Sequence, residues 1–158
     1  MINKIFEILG DKYEDEYHLM KNGKLREIYY EYSKKKSIFK KEDAFLYGIF
    51  SFLLEKYDDA IEYLLKDIEN IHILDLDILY EIIGVAYLNK KNYLEATKYF
   101  ILSISINPNN YASKYNLGIT YLKNNNFTYA YKIFLEIQSS SFSNENIDKI
   151  VNYIKTKL

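Results

Sequence analysis

The side chains here whose types could do chemistry are two histidines, a few paired carboxylates and two short lysine clusters. His18 and His72 would suit a metal ligand or a general base, but neither stands in a spacing that matches such a motif. Asp58 with Asp59, and Asp75 with Asp77, would suit general acid–base work as pairs. They fall near expected helix starts, where the helix dipole favours negative charge without any catalytic role. Lys34-Lys35-Lys36 and Lys40-Lys41 would suit an anionic partner, yet both are short and read as solvated helix ends. There is no cysteine, which excludes disulfides, thiol catalysis and thiolate metal sites. No phosphate-binding glycine loop, H-E-x-x-H helix, G-x-S-x-G turn or EF-hand loop occurs. The expectation is a protein without catalytic residues, metal or cofactor, so the elements that would position a partner matter more than any reactive group.

Composition narrows those elements. The chain has 158 residues, enough for one domain with a real core, and 49% of them are apolar. One proline, Pro108, and five glycines leave little material for the tight turns of an all-β fold. The 18 tyrosines are weak evidence for any function, since a Lys/Asn/Ile/Tyr excess also follows from an AT-rich genome. A net charge of −1 argues against a general grip on nucleic acid. Charge is uneven: residues 42–76 carry two basic and nine acidic side chains, residues 111–158 six basic and three acidic. No apolar run approaches the roughly 18 residues of a membrane helix. Met1–Gly10 is too short, and too broken by Glu7, for a secretory signal. The expected setting is the cytoplasm, with no membrane or nucleic-acid partner.

The organising feature is an internal repeat. Gly48, Gly84 and Gly118 recur at a nearly constant interval, and each is followed at one fixed distance by alanine: Ala60, Ala96 and Ala130. One helical turn after the glycines stand Ser51, Tyr87 and Tyr121, and one turn before the alanines stand Tyr57, Tyr93 and Phe127. One turn after the alanines come Leu64, Phe100 and Phe134. Small residues let two helices approach closely, and large side chains one turn away interlock with the facing helix. The spacing therefore predicts antiparallel helix pairs turning at Glu55-Lys56, Lys90-Lys91-Asn92 and Asn124-Asn125-Asn126. Asn92, with Glu95 one turn on, and Asn126 read as helix caps.

Residues 77–110 resemble one tetratricopeptide repeat over its whole length. Tyr80 takes the usual tryptophan position, Ile83-Gly84, Tyr87, Ala96, Phe100 and Pro108 fall on signature positions, and Ser103 replaces an alanine. Residues 111–144 match through Leu117-Gly118, Tyr121, Ala130 and Phe134, with Phe142 in place of the proline. Residues 41–74 match through Tyr47-Gly48, Tyr57 and Ala60. The resemblance implies an all-α fold, a right-handed superhelical stack of antiparallel helix hairpins, in one domain spanning 1–158.

Both ends read as caps of such a stack. Ile147, Ile150, Val151, Ile154 and Leu158 form one apolar helix face over 145–158, with Ser143 or Asn144 as its cap. At the front, Ile2, Ile5, Phe6 and Leu9 form a similar face. Asn22-Gly23 marks a turn before a helix with Leu25, Ile28, Tyr29 and Tyr32 on its apolar side, so 9–40 reads as a degenerate repeat.

The family lines its concave surface with the first helix of each pair. Helical periodicity puts Phe45, Ile49 and Phe52, then Glu81, Val85 and Leu88, then Tyr115, Ile119 and Leu122 on that face. Members that clamp acidic chaperone tails carry asparagine where Ile49, Val85 and Ile119 stand, so that clamp is missing. An apolar stripe suits an amphipathic or apolar protein segment laid in the groove. Two readings stay open: a binding module or adaptor for another protein or peptide, and a self-associating scaffold whose stripe is covered by its own terminus or by a second copy in a homo-oligomer.

Overall fold

The structure, a computed structural model, describes residues 14–38, 41–66, 68 and 76–158. The expected apolar face through Ile2, Ile5, Phe6 and Leu9, together with Lys40, His72 and Asp75, lies outside the described residues. Among the described residues the protein is all-α, with nine α-helices, one short 3-10 turn at Lys36–Ile38 and no strand. In chain order these are α1 (Glu14–Lys21), α2 (Leu25–Lys34), α3 (Lys41–Leu53), α4 (Tyr57–Lys66), α5 (Leu76–Asn89), α6 (Tyr93–Ile106), α7 (Tyr111–Lys123), α8 (Phe127–Gln138) and α9 (Glu145–Lys155). They fall in two compact units that divide between Leu79 and Tyr80.

In the first unit α1 and α2 form a hairpin whose turn is Gly23, at φ 78°. Helix α2 lays Ile28 against Leu46 and Phe50 of α3, and Tyr17, Met20, Leu25, Tyr29 and Tyr32 close around them. Helices α3 and α4 form the next hairpin. Its close approach is at Gly48, where a Cβ would stand 2.9 Å from Cδ2 of Leu64.

The second unit repeats that device twice. A Cβ on Gly84 of α5 would stand 2.7 Å from the Phe100 ring of α6. One on Gly118 of α7 would stand 2.6 Å from the Phe134 ring of α8. Hydrogen fits where a methyl cannot, and Ala96 and Ala130, both fully buried, keep the facing helices equally close. The spacing of glycine, alanine and large residue is thus the physical seam of each hairpin.

The turns of the three hairpins seamed by Gly48, Gly84 and Gly118 end their first helix in the same way. Lys56, Asn92 and Asn126 donate their backbone N–H to the carbonyls of Ser51, Tyr87 and Tyr121. Glu55, Lys91 and Asn125 donate to Phe52, Leu88 and Leu122. This pair of bonds closes a Schellman turn and needs a left-handed residue, which glycine usually supplies. Here Glu55, Lys91 and Asn125 hold it, at φ 59°, 60° and 57°. The Asn92 side chain then caps α6 by accepting from Glu95 N, and Asn126 caps α8 by accepting from Tyr129 N.

Helix α9 closes the second unit. Ile147, Val151 and Ile154 are buried against Ala130, Phe134 and Ile137 of α8, with Ile150 partly buried beside them. Asn144, not Ser143, caps α9, accepting from the backbone N–H of Asn146 and Ile147. Leu158 departs from its expected place: the helix ends at Lys155 and Leu158 is 64% exposed, because the chain turns off the apolar face before reaching it.

Candidate functional site

The nine residues expected to line a partner surface divide between the two units. In the first, Phe45 and Phe52 on α3 are partly buried, and the Phe52 ring meets Tyr57 edge-on at 6.3 Å. Ile49 is fully buried and offers no surface. The reason is local: Leu46, Tyr47, Gly48, Ile49 and Phe50 are all buried, so over this turn α3 is covered all round and has no open side.

In the second unit Glu81 is also closed off. It is 6% exposed, and its Oε2 accepts from Asn110 Nδ2 at 3.0 Å. The same Asn110 amide reaches Ser103 Oγ, which pairs with Ser113 Oγ at 2.7 Å, while Asn110 Oδ1 caps α7 by accepting from Ser113 N. Glu81 therefore ties α5 to the start of α7 instead of facing a partner. Val85 and Leu88 are partly buried against Ala96, Phe100 and Leu117. Ile119 and Leu122 are partly buried against the Ala130–Phe134–Val151 cluster. Tyr115 is 38% exposed and sets its ring edge-on to Phe134. Of the six residues expected in this unit, the five that keep some exposure are Val85 and Leu88 on α5 and Tyr115, Ile119 and Leu122 on α7, with Tyr115 the most exposed.

A second constellation lies in the first unit. Asp59 Oδ2 on α4 is 2.8 Å from the Tyr47 hydroxyl of α3 and 3.0 Å from the Tyr29 hydroxyl of α2. The two hydroxyl oxygens are themselves 2.8 Å apart, and the rings stack with centroids 5.0 Å apart. Lys36 Nζ stands 3.4 Å from the same carboxylate oxygen and 4.5 Å from the Tyr47 ring centroid. Burial pushes the Asp59 carboxyl up, but the Tyr47 and Tyr29 hydroxyls and Lys36 outweigh it and hold it below the usual carboxylate range. Burial, reinforced by the nearby carboxylate, pushes Tyr47 up to about 12 and Tyr29 up as well. Both phenols are therefore neutral donors at ordinary pH, and the carboxylate is already occupied by them. The arrangement joins three helices and activates no nucleophile.

The remaining candidates are ordinary. His18 is exposed and sits 3.5 Å from Glu14 one helical turn away. Lys34 pairs with Glu31 on the surface of α2, whereas Lys36, expected to be solvated, belongs to the Asp59 network. Among the described residues no group of His, Asp and Glu could hold a metal ion, and no helix is long and apolar enough to cross a membrane.

Neither polar network was read from the sequence, although each left a trace. Tyr47 and Asp59 stand immediately before Gly48 and Ala60, so the interval that brings the small residues together also brings these two face to face. Ser103 stands where an alanine is usual, and its hydroxyl is used by Asn110 and Ser113.

The family profile described as "Tetratricopeptide repeat" matches residues 79–110. No curated protein matches the chain by sequence. Among solved structures the chain is similar to the first TPR of Spaghetti (RPAP3), solved bound to the HSP90 peptide SRMEEVD. The two share 18% identity and a TM-score of 0.62, with 74% of this chain and 94% of that chain covered.

Proposed function

We propose that this chain, whose fold is that of the tetratricopeptide repeats, is a non-catalytic interaction module that receives an apolar or amphipathic segment of another protein. One observation carries the reading: Val85 and Leu88 on α5 recur one repeat later as Ile119 and Leu122 on α7, partly exposed, with Tyr115 opening the row to solvent. A row of apolar side chains on successive helices suits the face of an amphipathic helix or a short apolar strand. The peptide held by the similar solved domain supports a protein partner. Val85 and Ile119 carry no charge or amide for a carboxylate, so the recognised feature is the apolar face of the segment. In the first unit, Phe45 and Phe52 are the partly exposed members of the corresponding face of α3. The organisation that goes with this role is repeats over 41–74, 77–110 and 111–144, a degenerate repeat over 9–40 and a closing helix over 145–158.

The test is partner capture from the source cell lysate by wild type, by Tyr115→Asp and by Leu94→Asp, with helicity checked for each. Tyr115 and Leu94 are both exposed, Leu94 at 79% on α6, so both variants remove a surface apolar group and add a charge. Loss of capture in Tyr115→Asp alone is expected. Equal capture by all three proteins would remove the row from the partner surface.

A further inference from the structure

Helix α9 repeats the first helix of a hairpin in register. Ile147, Val151 and Ile154 are buried, as are Ser113, Leu117 and Thr120 one repeat earlier on α7, and Leu79, Ile83 and Ala86 one repeat before those on α5. The cap follows the same interval, Asn144 for α9 and Asn110 for α7. Side chains between the buried positions must then share faces too, since one helix geometry with one buried stripe fixes where the rest point. Tyr153 stands in the row of Val85 and Ile119, and Lys149 in the row of Glu81 and Tyr115. Lys157 takes the sequence position of Lys123 and Asn89, the last residues of α7 and α5, but stands in the turn just past the end of α9 at Lys155, where it lies over the Tyr153 ring.

We propose that α9 is part of the binding surface as well as a cover for the last hairpin, and that the surface takes an amphipathic segment whose polar side is acidic. This rests on the partner-binding reading above and names the charge and the third helix it did not supply. Tyr153 is 53% exposed and extends the apolar row by one helix, its ring under Lys157 Nζ at 5.5 Å. Lys149, Lys123 and Lys157 are exposed on either side of that row. Lys149 is held by Glu145 at 2.7 Å, a pair so exposed that its carboxylate is readily exchanged for a partner's. Of the acidic groups near the row, Glu81 is buried on Asn110 and Glu145 offsets the charge of Lys149, so the net positive charge of the rim comes from Lys123 and Lys157. An acidic segment gains from Lys123 and Lys157, and from Lys149 to the extent that it outcompetes Glu145, while its apolar side covers Val85, Ile119 and Tyr153.

The experiment uses the full chain and two synthetic helical peptides with one shared apolar face, one with glutamates and one with lysines on the polar side. Affinities are read by fluorescence anisotropy at low and physiological salt. The acidic peptide is expected to bind about tenfold tighter than the basic one, with the gap narrowing as salt rises. Lys149→Glu and Tyr153→Ala are each expected to weaken the acidic peptide about fivefold, and Lys132→Glu, exposed on α8, to leave it unchanged. Equal affinity for both peptides overturns the acidic assignment. Unchanged binding in both α9 variants, with loss in Tyr115→Asp, overturns the role of α9 and leaves the apolar row standing. No saturable binding of either peptide, or binding that Tyr115→Asp does not touch, overturns this proposal together with the reading it rests on.

Discussion

Tyr47 and Asp59 face each other across the first glycine-seamed hairpin, hydroxyl to carboxylate at 2.8 Å, each immediately before a member of the small pair Gly48 and Ala60. The corresponding positions in the other two hairpins hold Ile83 with Glu95 and Leu117 with Tyr129, so this bond belongs to one hairpin only. Tyr47 is fully buried, and Asp59 is the charged acceptor of its hydroxyl. Asp59→Ala is expected to cost about 1–3 kcal/mol, the desolvation of a buried hydroxyl left short of its partner. Urea unfolding followed by circular dichroism measures it, and a loss below about 0.5 kcal/mol would mean the network is replaced by water.

The same network sets a pH dependence at both ends. The Asp59 carboxyl is held below its unfolded value, so its stabilisation is present above about pH 4 and is lost as pH falls through the lower folded value. The Tyr47 phenol is raised to about 12, so its contribution is present below about pH 10 and is lost as pH rises toward 12. Unfolding midpoints across pH should therefore separate wild type from Asp59→Asn in acid and from Tyr47→Phe in alkali. Parallel curves at both ends would deny the network this role.

Gly84→Ala and Gly118→Ala should each destabilise the second unit by about 1–3 kcal/mol through overpacking, although alanine is the better helix former by about 1 kcal/mol. The new methyl meets a phenyl ring at 2.7 or 2.6 Å, and that ring is fully buried with nowhere to retreat. Phe100→Leu is expected to restore part of the loss in Gly84→Ala, a coupling that a double-mutant cycle reads directly.

Lys91→Gly should raise stability by about 0.5–1 kcal/mol. Lys91 holds a left-handed conformation at φ 60°. That conformation costs an L-residue about 1–2 kcal/mol, and glycine gives back part of the gain through greater freedom in the unfolded chain. Asn125→Gly should gain less, because asparagine tolerates this region better. Thermal unfolding of the two variants side by side checks the ranking.

Asn110→Ala should cost more than Asn144→Ala. Both residues cap a helix, a contribution of about 1 kcal/mol, but Asn110 also donates to the buried Glu81 and to Ser103. Equal losses would show that Glu81 finds another donor.

The hairpin seams were legible because they rest on residue size and interval: a glycine, an alanine at a fixed distance beyond it and a large side chain one turn further can meet in only one hairpin geometry. The caps at Asn92 and Asn126 were legible for a similar reason, since the donors they satisfy lie within the next helical turn, and the cap of α9 was narrowed to Ser143 or Asn144, of which the structure uses Asn144. Ile49 and Glu81 were not legible as closed positions. Helical periodicity gives the direction of a side chain from its own axis but not what stands beside it. Ile49 lies on a turn buried all round, and the fate of Glu81 is set by Asn110, which belongs to the start of a different helix pair. The sequence by itself determined the repeated helix hairpins, their pairing and the caps at Asn92 and Asn126, all of which depend on local geometry and size; the cap at Asn110 came only with the structure. Only the tertiary structure decided which of the apolar and charged side chains stay open to a partner, because exposure depends on neighbours brought from distant parts of the chain.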